Sequence, residues 1–134
     1  MKGAVFIGML LWASVAQAAT PGEILTGYTA EAARRTPGFQ PTAVRGEQFY
    51  QKRFGVSEVM PACASCHTDR PTQPGRHAVT GKLIQPLAPA ANAERFTDLA
   101  KVEKWFRRNC SEVTGRECSA AEKADFMVYV MGKR

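Results

Sequence analysis

Cys63-Ala64-Ser65-Cys66-His67 is the stretch on which the reading of this chain turns. The C-x-x-C-H spacing puts two thiols at i and i+3, on one face of one helical turn. From there both can form thioethers with the two vinyl groups of a single haem, and His67 sits beneath the iron as its proximal ligand. Two other chemistries use paired cysteines. A Cys63–Cys66 redox disulfide would need the βαβ context of a thioredoxin, and half a zinc site would need a second ligand pair nearby; the sequence offers neither. The expected cofactor is one covalent haem c.

The N-terminus supports this reading. Lys2 gives a positive start, residues 4–15 are apolar, and Ala16-Gln17-Ala18 is an A-x-A site. Residues 1–18 are predicted to be a signal peptide cleaved after Ala18, leaving one domain over residues 19–134. The alternative, an uncleaved anchor, is opposed by the shortness of the apolar run. Haem attachment to C-x-x-C-H takes place outside the cytoplasm, so a periplasmic location is expected. That compartment is oxidising, and disulfides persist there.

Length and composition set the outer bounds. A chain of 134 residues and 14.7 kDa is one domain by default. Hydrophobic residues at 45% and charged residues at 22% exclude long disorder, collagen and multi-pass membrane classes. The net charge is +6. Such a field can steer a redox partner with an acidic docking face. No aromatic-interleaved basic motif points to nucleic acid.

Helix signals surround the motif. Thr20-Pro21-Gly22-Glu23 reads as a capping box, predicting a helix from Pro21 to Arg35 with Ile24, Leu25 and Tyr28 inward. A second helix is expected from Thr42 to Phe54, burying Val44, Phe49 and Tyr50, with Gly46 admitting another helix at close range. Pro71, Pro74, Pro86 and Pro89 exclude a continuous helix between Thr68 and Arg95 and predict a long loop. Thr97 or Asp98 caps a helix to about Asn109. Ser119 to Glu122 is another capping box and opens a last helix to about Met131, burying Phe126, Val130 and either Met127 or Tyr129. No strands are expected. The class is all-α, with four to five helices around one haem.

Function depends on what faces His67 across the ring. A permanent Met closes the iron and makes an electron carrier, whereas an open or labile position admits gases. No Met occurs between Thr68 and Phe126. Met60 lies on the wrong side of the motif, and Met127 and Met131 sit at helical spacing that suits core packing. His77, in the loop, is a bis-His candidate. Leu99, Val102, Phe106 and Asn109 share a helix face, so Asn109 reads either as a polar group on a distal wall or as a helix C-cap. Cys110 and Cys118 are expected to form one disulfide. Trp105, Phe106, Ile84 and Leu87 are candidate haem-pocket residues, with core packing the simpler role for Trp105.

The segments Thr80-Gly81-Lys82, Pro86-Leu87-Ala88-Pro89, Arg95-Phe96-Thr97-Asp98, Val102-Glu103-Lys104-Trp105, Arg108-Asn109-Cys110 and Gly115-Arg116 with Cys118 carry a resemblance. The chain resembles the sphaeroides haem protein family, oxygen-binding monohaem c-type cytochromes with a class I-like fold. The resemblance implies His67 as proximal ligand, Cys63 and Cys66 as thioethers, and a Cys110–Cys118 disulfide. It also implies Asn109 as a distal ligand that binds ferric iron and leaves on reduction. Oxygen, NO or CO could then bind. The implied partner is a dihaem cytochrome c, often encoded with a membrane cytochrome b. These features predict a ligand-binding and electron-transfer protein more than an enzyme. The rivals are a plain electron carrier and a small oxygen, peroxide or NO reductase.

Overall fold

Thr20 opens the first helix as its sequence predicts. Its hydroxyl accepts the Glu23 N–H, the Glu23 carboxylate accepts the Thr20 N–H, and Pro21 takes the first helical position. Ser119 and Glu122 repeat the arrangement at the last helix. The computed structural model describes residues 19–134. Its elements are α1 (Pro21–Arg35), α2 (Ala43–Gln51), α3 (Ala64–His67), β1 (Gly75–Arg76), β2 (Leu83–Ile84), α4 (Leu99–Thr114) and α5 (Ala120–Met131). The class is all-α. The signal peptide expected over residues 1–18 lies outside the described residues.

Helix α5 is the centre of the packing. Ala120, Ala124, Asp125, Phe126, Met127, Tyr129 and Val130 are all buried, the pattern of a helix enclosed by others. It packs against α1 and α2. Tyr50 of α2 is fully buried, its ring centroid 6.1 Å from Phe126 and 5.3 Å from Tyr129. Gly46 makes that approach possible, because a Cβ there would stand 2.0 Å from the Asp125 carbonyl oxygen. The buried Asp125 carboxylate accepts the Thr42 N–H at 2.7 Å and the Arg45 Nε–H at 2.8 Å. A buried carboxylate is tolerated when it is paired in this way. Met127 is fully buried in the same layer, so its sulfur serves packing.

Four details depart from the sequence reading. Helix α2 stops at Gln51, before Phe54, because the Phe54 N–H is drawn away to the Pro61 carbonyl at 2.8 Å. Val44 is 67% exposed rather than buried, since a two-residue offset from Gly46 carries it to the opposite side of the helix. Helix α4 continues past Asn109 to Thr114 and ends at Gly115, whose φ of 73° supplies the left-handed stop. A two-residue antiparallel ladder also forms in the loop, pairing Gly75 with Ile84 and Arg76 with Leu83.

A charged staple joins three helices. Lys123 of α5 donates to Glu103 of α4 at 2.9 Å, the Tyr28 hydroxyl of α1 donates to the same carboxylate, and the Lys123 ammonium lies 5.1 Å from the Tyr28 ring centroid. Burial alone would raise the Glu103 carboxyl, but the Tyr28 and Lys123 donors outweigh it and hold the group below its usual range. Its stabilising effect is therefore present above the ordinary carboxylate value and is lost as pH falls through the lowered one. Glu103→Gln should lower the melting temperature at pH 7 by about 3 °C. In melts followed by circular dichroism, the gap to the wild type should close below about pH 4.

Candidate haem site

Helix α3 is a single turn, and both of its ends are fixed. At its start the Ala62 N–H donates to Ser65 Oγ at 3.2 Å. At its end Thr68 takes φ 63°, an uncommon value for a β-branched residue. The Tyr50 hydroxyl donates to the Thr68 carbonyl at 2.6 Å. The α2–α5 core is thus tied directly to the residue after His67, where strain is held by surrounding structure.

Cys63 and Cys66 are both unpaired thiols and both half-buried. Burial pushes the Cys63 thiol up to about 12. His67 is pushed down to about 4, first by burial and then by the positive charge of Arg95. The imidazole is therefore neutral at pH 7, with one ring nitrogen carrying a lone pair, the form that ligates metals. The Gly75 backbone lies against the motif so closely that a Cβ would stand 2.0 Å from the Cys66 carbonyl oxygen. Ala78 N–H points at Cys66 Sγ at 3.2 Å. Two free thiols at i and i+3, a neutral imidazole next in sequence and a closely fitted backbone behind them suit a covalently attached haem. Among the described residues no group of three or more His, Cys, Asp or Glu side chains is gathered for a metal ion.

The loop from Thr68 to Arg95 braces this motif. The Pro71 carbonyl accepts the N–H groups of Leu87 and Ala88, both at 2.9 Å. Leu87 is buried and Ile84 half-buried, the latter paired with Gly75. His77 is held within its own turn, where Nδ1 accepts the Val79 N–H at 3.2 Å and the Thr80 N–H at 3.3 Å. In the neutral ring this leaves the proton on Nε2.

Helix α4 separates the candidates the sequence grouped. Val102, Phe106, Cys110 and Val113 form its buried face. Phe106 stands edge-on to Tyr28 at 5.8 Å and to Phe126 at 5.4 Å, inside the interhelical core. Leu99 is 51% exposed and is not part of that face. Trp105 is 43% exposed beneath the Arg108 guanidinium at 5.7 Å, so the simple core role does not hold. Asn109 lies one turn beyond Trp105 on the same flank and is half-buried. The helix runs on for five residues after it, which removes the C-cap reading. Cys110, the next residue, is bonded to Cys118 with Cα atoms 5.7 Å apart, tying the end of α4 to the start of α5.

Sequence reasoning gave no role to Gly75 or Arg95, and it placed Tyr50 only at a helix crossing. The close approach of Gly75 to Cys66 depends on long-range folding. The two acceptors of Arg95 are backbone carbonyls, which no residue pattern reveals.

Comparison with known proteins agrees with the site. A family described as a domain of unknown function (DUF1924) matches residues 37–130. Cytochrome c'' of Methylophilus methylotrophus is 42% identical over 106 residues, covering 78% of this chain and 74% of that protein. The cytochrome c-type protein SHP of Cereibacter sphaeroides is 41% identical over 112 residues, covering 83% and 82%. The structure of oxidised SHP, described as an oxygen-binding cytochrome c, superposes with a TM-score of 0.76 at 39% identity over 84% of this chain and 96% of that one. The crystal structure of oxidised cytochrome c'' gives 0.78 at 38% identity over 85% and 94%. A solution structure of cytochrome c'' addresses haem-ligand detachment.

Fold and site together define a small all-α c-type cytochrome that carries one covalent haem c. Within that class the chain belongs to the DUF1924 family, alongside SHP and cytochrome c''.

Proposed function

We propose that Asn109 is a distal ligand that holds the ferric state and leaves on reduction, so that the protein takes up oxygen or a related diatomic ligand in its ferrous state. The observation that carries this reading is the place of Asn109. It is fixed within a continuous helix beside a disulfide, and no hydrogen bond among the described residues engages its amide. Haem supplies an iron that changes oxidation state and accepts diatomic gases when a coordination position is open. The Asn109 amide oxygen is a hard, neutral donor, which favours ferric over softer ferrous iron. Once released, the same side chain turns from acceptor to donor, and its NH₂ can hydrogen-bond an entering ligand. Cys63 and Cys66 anchor the cofactor and His67 holds the opposite side. Ile84, Leu87, Trp105 and Phe106 line or back the pocket.

The plain-carrier reading asks for a permanent Met or His. Met127 is buried in the helical core, and the His77 ring is engaged by its own turn through Nδ1. Both observations favour Asn109. Ligand binding with electron transfer, more than enzymatic turnover, fits a site without a distal His–Arg pair, since Arg76 is exposed and donates to the Gly81 carbonyl. Electrons would come from a dihaem or similar cytochrome with an acidic face, in the periplasm, after removal of residues 1–18.

The direct test is the optical spectrum of anaerobically reduced holoprotein before and after CO. A high-spin ferrous spectrum that converts with CO is expected. A low-spin ferrous spectrum indifferent to CO would overturn the proposal and return the protein to the electron carriers.

A further inference from the structure

Among the described residues Arg95 is a cation without an acid. The five ion pairs among the described residues use Arg45, Arg108, Arg116, Lys123 and Lys133. Arg95 takes none of these carboxylates. Its guanidinium is instead clamped by main chain, with Nε–H donating to the Pro86 carbonyl at 2.8 Å and a terminal N–H to the Gln85 carbonyl at 2.6 Å. A guanidinium has five N–H donors, so three remain for another acceptor. The group is half-buried, and burial lowers its pKa from the ordinary value, the sign of a charge held partly out of water.

The clamp is built into the wall behind the motif. Gln85 and Pro86 directly follow β2, β2 pairs with β1, and β1 begins at Gly75 against Cys66 and His67. Leu87, beside Pro86, is held by Pro71. The next residue after Arg95, Phe96, is buried with φ 60°, so the chain beside Arg95 is held in an uncommon conformation. A guanidinium fixed by two carbonyls, with free donors and no protein carboxylate, is suited to bidentate recognition of an oxyanion.

We infer that Arg95 binds a propionate of the haem, and through that ion pair sets the balance between the ferric and ferrous protein. This rests on covalent haem at Cys63 and Cys66, not on the identity of the distal ligand. The propionate is the carboxylate that the cofactor brings, and Arg95 offers it donors on the motif side of the fold. Pairing cancels a negative charge near the iron. Loss of the pair leaves that charge uncompensated and favours the ferric form.

The test is spectroelectrochemical titration of holoprotein at pH 7 for the wild type, Arg95→Gln and Arg95→Lys. At a fixed applied potential, Arg95→Gln is expected to raise the ferric-to-ferrous ratio about tenfold, the size of one unscreened charge acting across a protein of intermediate dielectric. Arg95→Lys keeps the charge and should stay within about threefold of the wild type, a margin of half that effect. Equal shifts in both variants would mean that only the carbonyl clamp matters, and no shift in Arg95→Gln would mean that no propionate is paired there. Either result overturns the inference. If Arg95→Gln does not accumulate as holoprotein, Arg95→Met, which preserves the buried stem, takes its place with the same two readings. The CO response of reduced wild-type protein reports separately on Asn109, so failure of one reading leaves the other standing.

Discussion

Gly46→Ala should prevent the holoprotein from accumulating. A Cβ at that position would meet the Asp125 carbonyl oxygen at 2.0 Å, the Asp125 carbonyl carbon at 2.6 Å and Tyr129 Cβ at 2.7 Å. Two of these atoms are main chain of α5, which cannot rotate out of the way as a side chain can. Relief requires α2 to move off α5, which also pulls Tyr50 from its pocket and strains the Thr42 and Arg45 bonds to Asp125. Overpacking of this kind costs about 3 kcal/mol or more. A small domain has only about 5–15 kcal/mol in total. Because Tyr50 also holds the carbonyl after His67, the damage reaches the haem motif. Thermal or denaturant unfolding checks this. A melting temperature within 2–3 °C of the wild type, below about 1 kcal/mol of change, would show that the two helices do not meet as described.

Asn109→Ala should behave in the opposite manner, leaving the fold intact and changing the chemistry. Alanine is the better helix former by roughly 0.6 kcal/mol, and among the described residues no hydrogen bond to the amide would be lost. Stability should hold or rise slightly. The ferric spectrum should change from low-spin towards high-spin, because the proposed ligand has gone, while the reduced spectrum stays as it was. If the released amide donates to oxygen, the variant should also lose oxygen about tenfold faster, the value of one hydrogen bond. An unchanged ferric spectrum with unchanged gas binding would make Asn109 a bystander.

These two residues mark what the sequence could and could not convey. Gly46 was legible as a close helix contact because a glycine within an amphipathic helix asks for one. The capping boxes at Thr20 and Ser119 were legible because their partners lie three residues away. Cys63, Cys66 and His67 were legible as a group because the C-x-x-C-H spacing is local. Asn109 stood between two readings, since periodicity places a residue on a face without showing where its helix ends. Gly115 held that information, and α4 obeys it. Val44 and Leu99 misled because an apolar residue on a short helix signals burial only when its face is known. The Gly75–Ile84 ladder is too short to alternate, and it exists because the loop folds back on the motif. Arg95 was silent for a similar reason, as its acceptors are carbonyls of a proline-rich turn.

Helix α5 carries one more consequence, for the order in which the chain can close. Among the described elements it is made after all the others, yet it supplies the surface on which α1 and α2, made well before it, are buried. Until residues 120–131 arrive, Tyr50 has neither Phe126 nor Tyr129 to pack against. The layer behind His67 therefore has no early folded form of its own. Contacts of such long sequence separation form late. The two thiols in the middle of the chain consequently remain accessible for chemical modification until α5 has been made. A truncation that removes the last helix would undo the core of helices that begin about a hundred residues upstream.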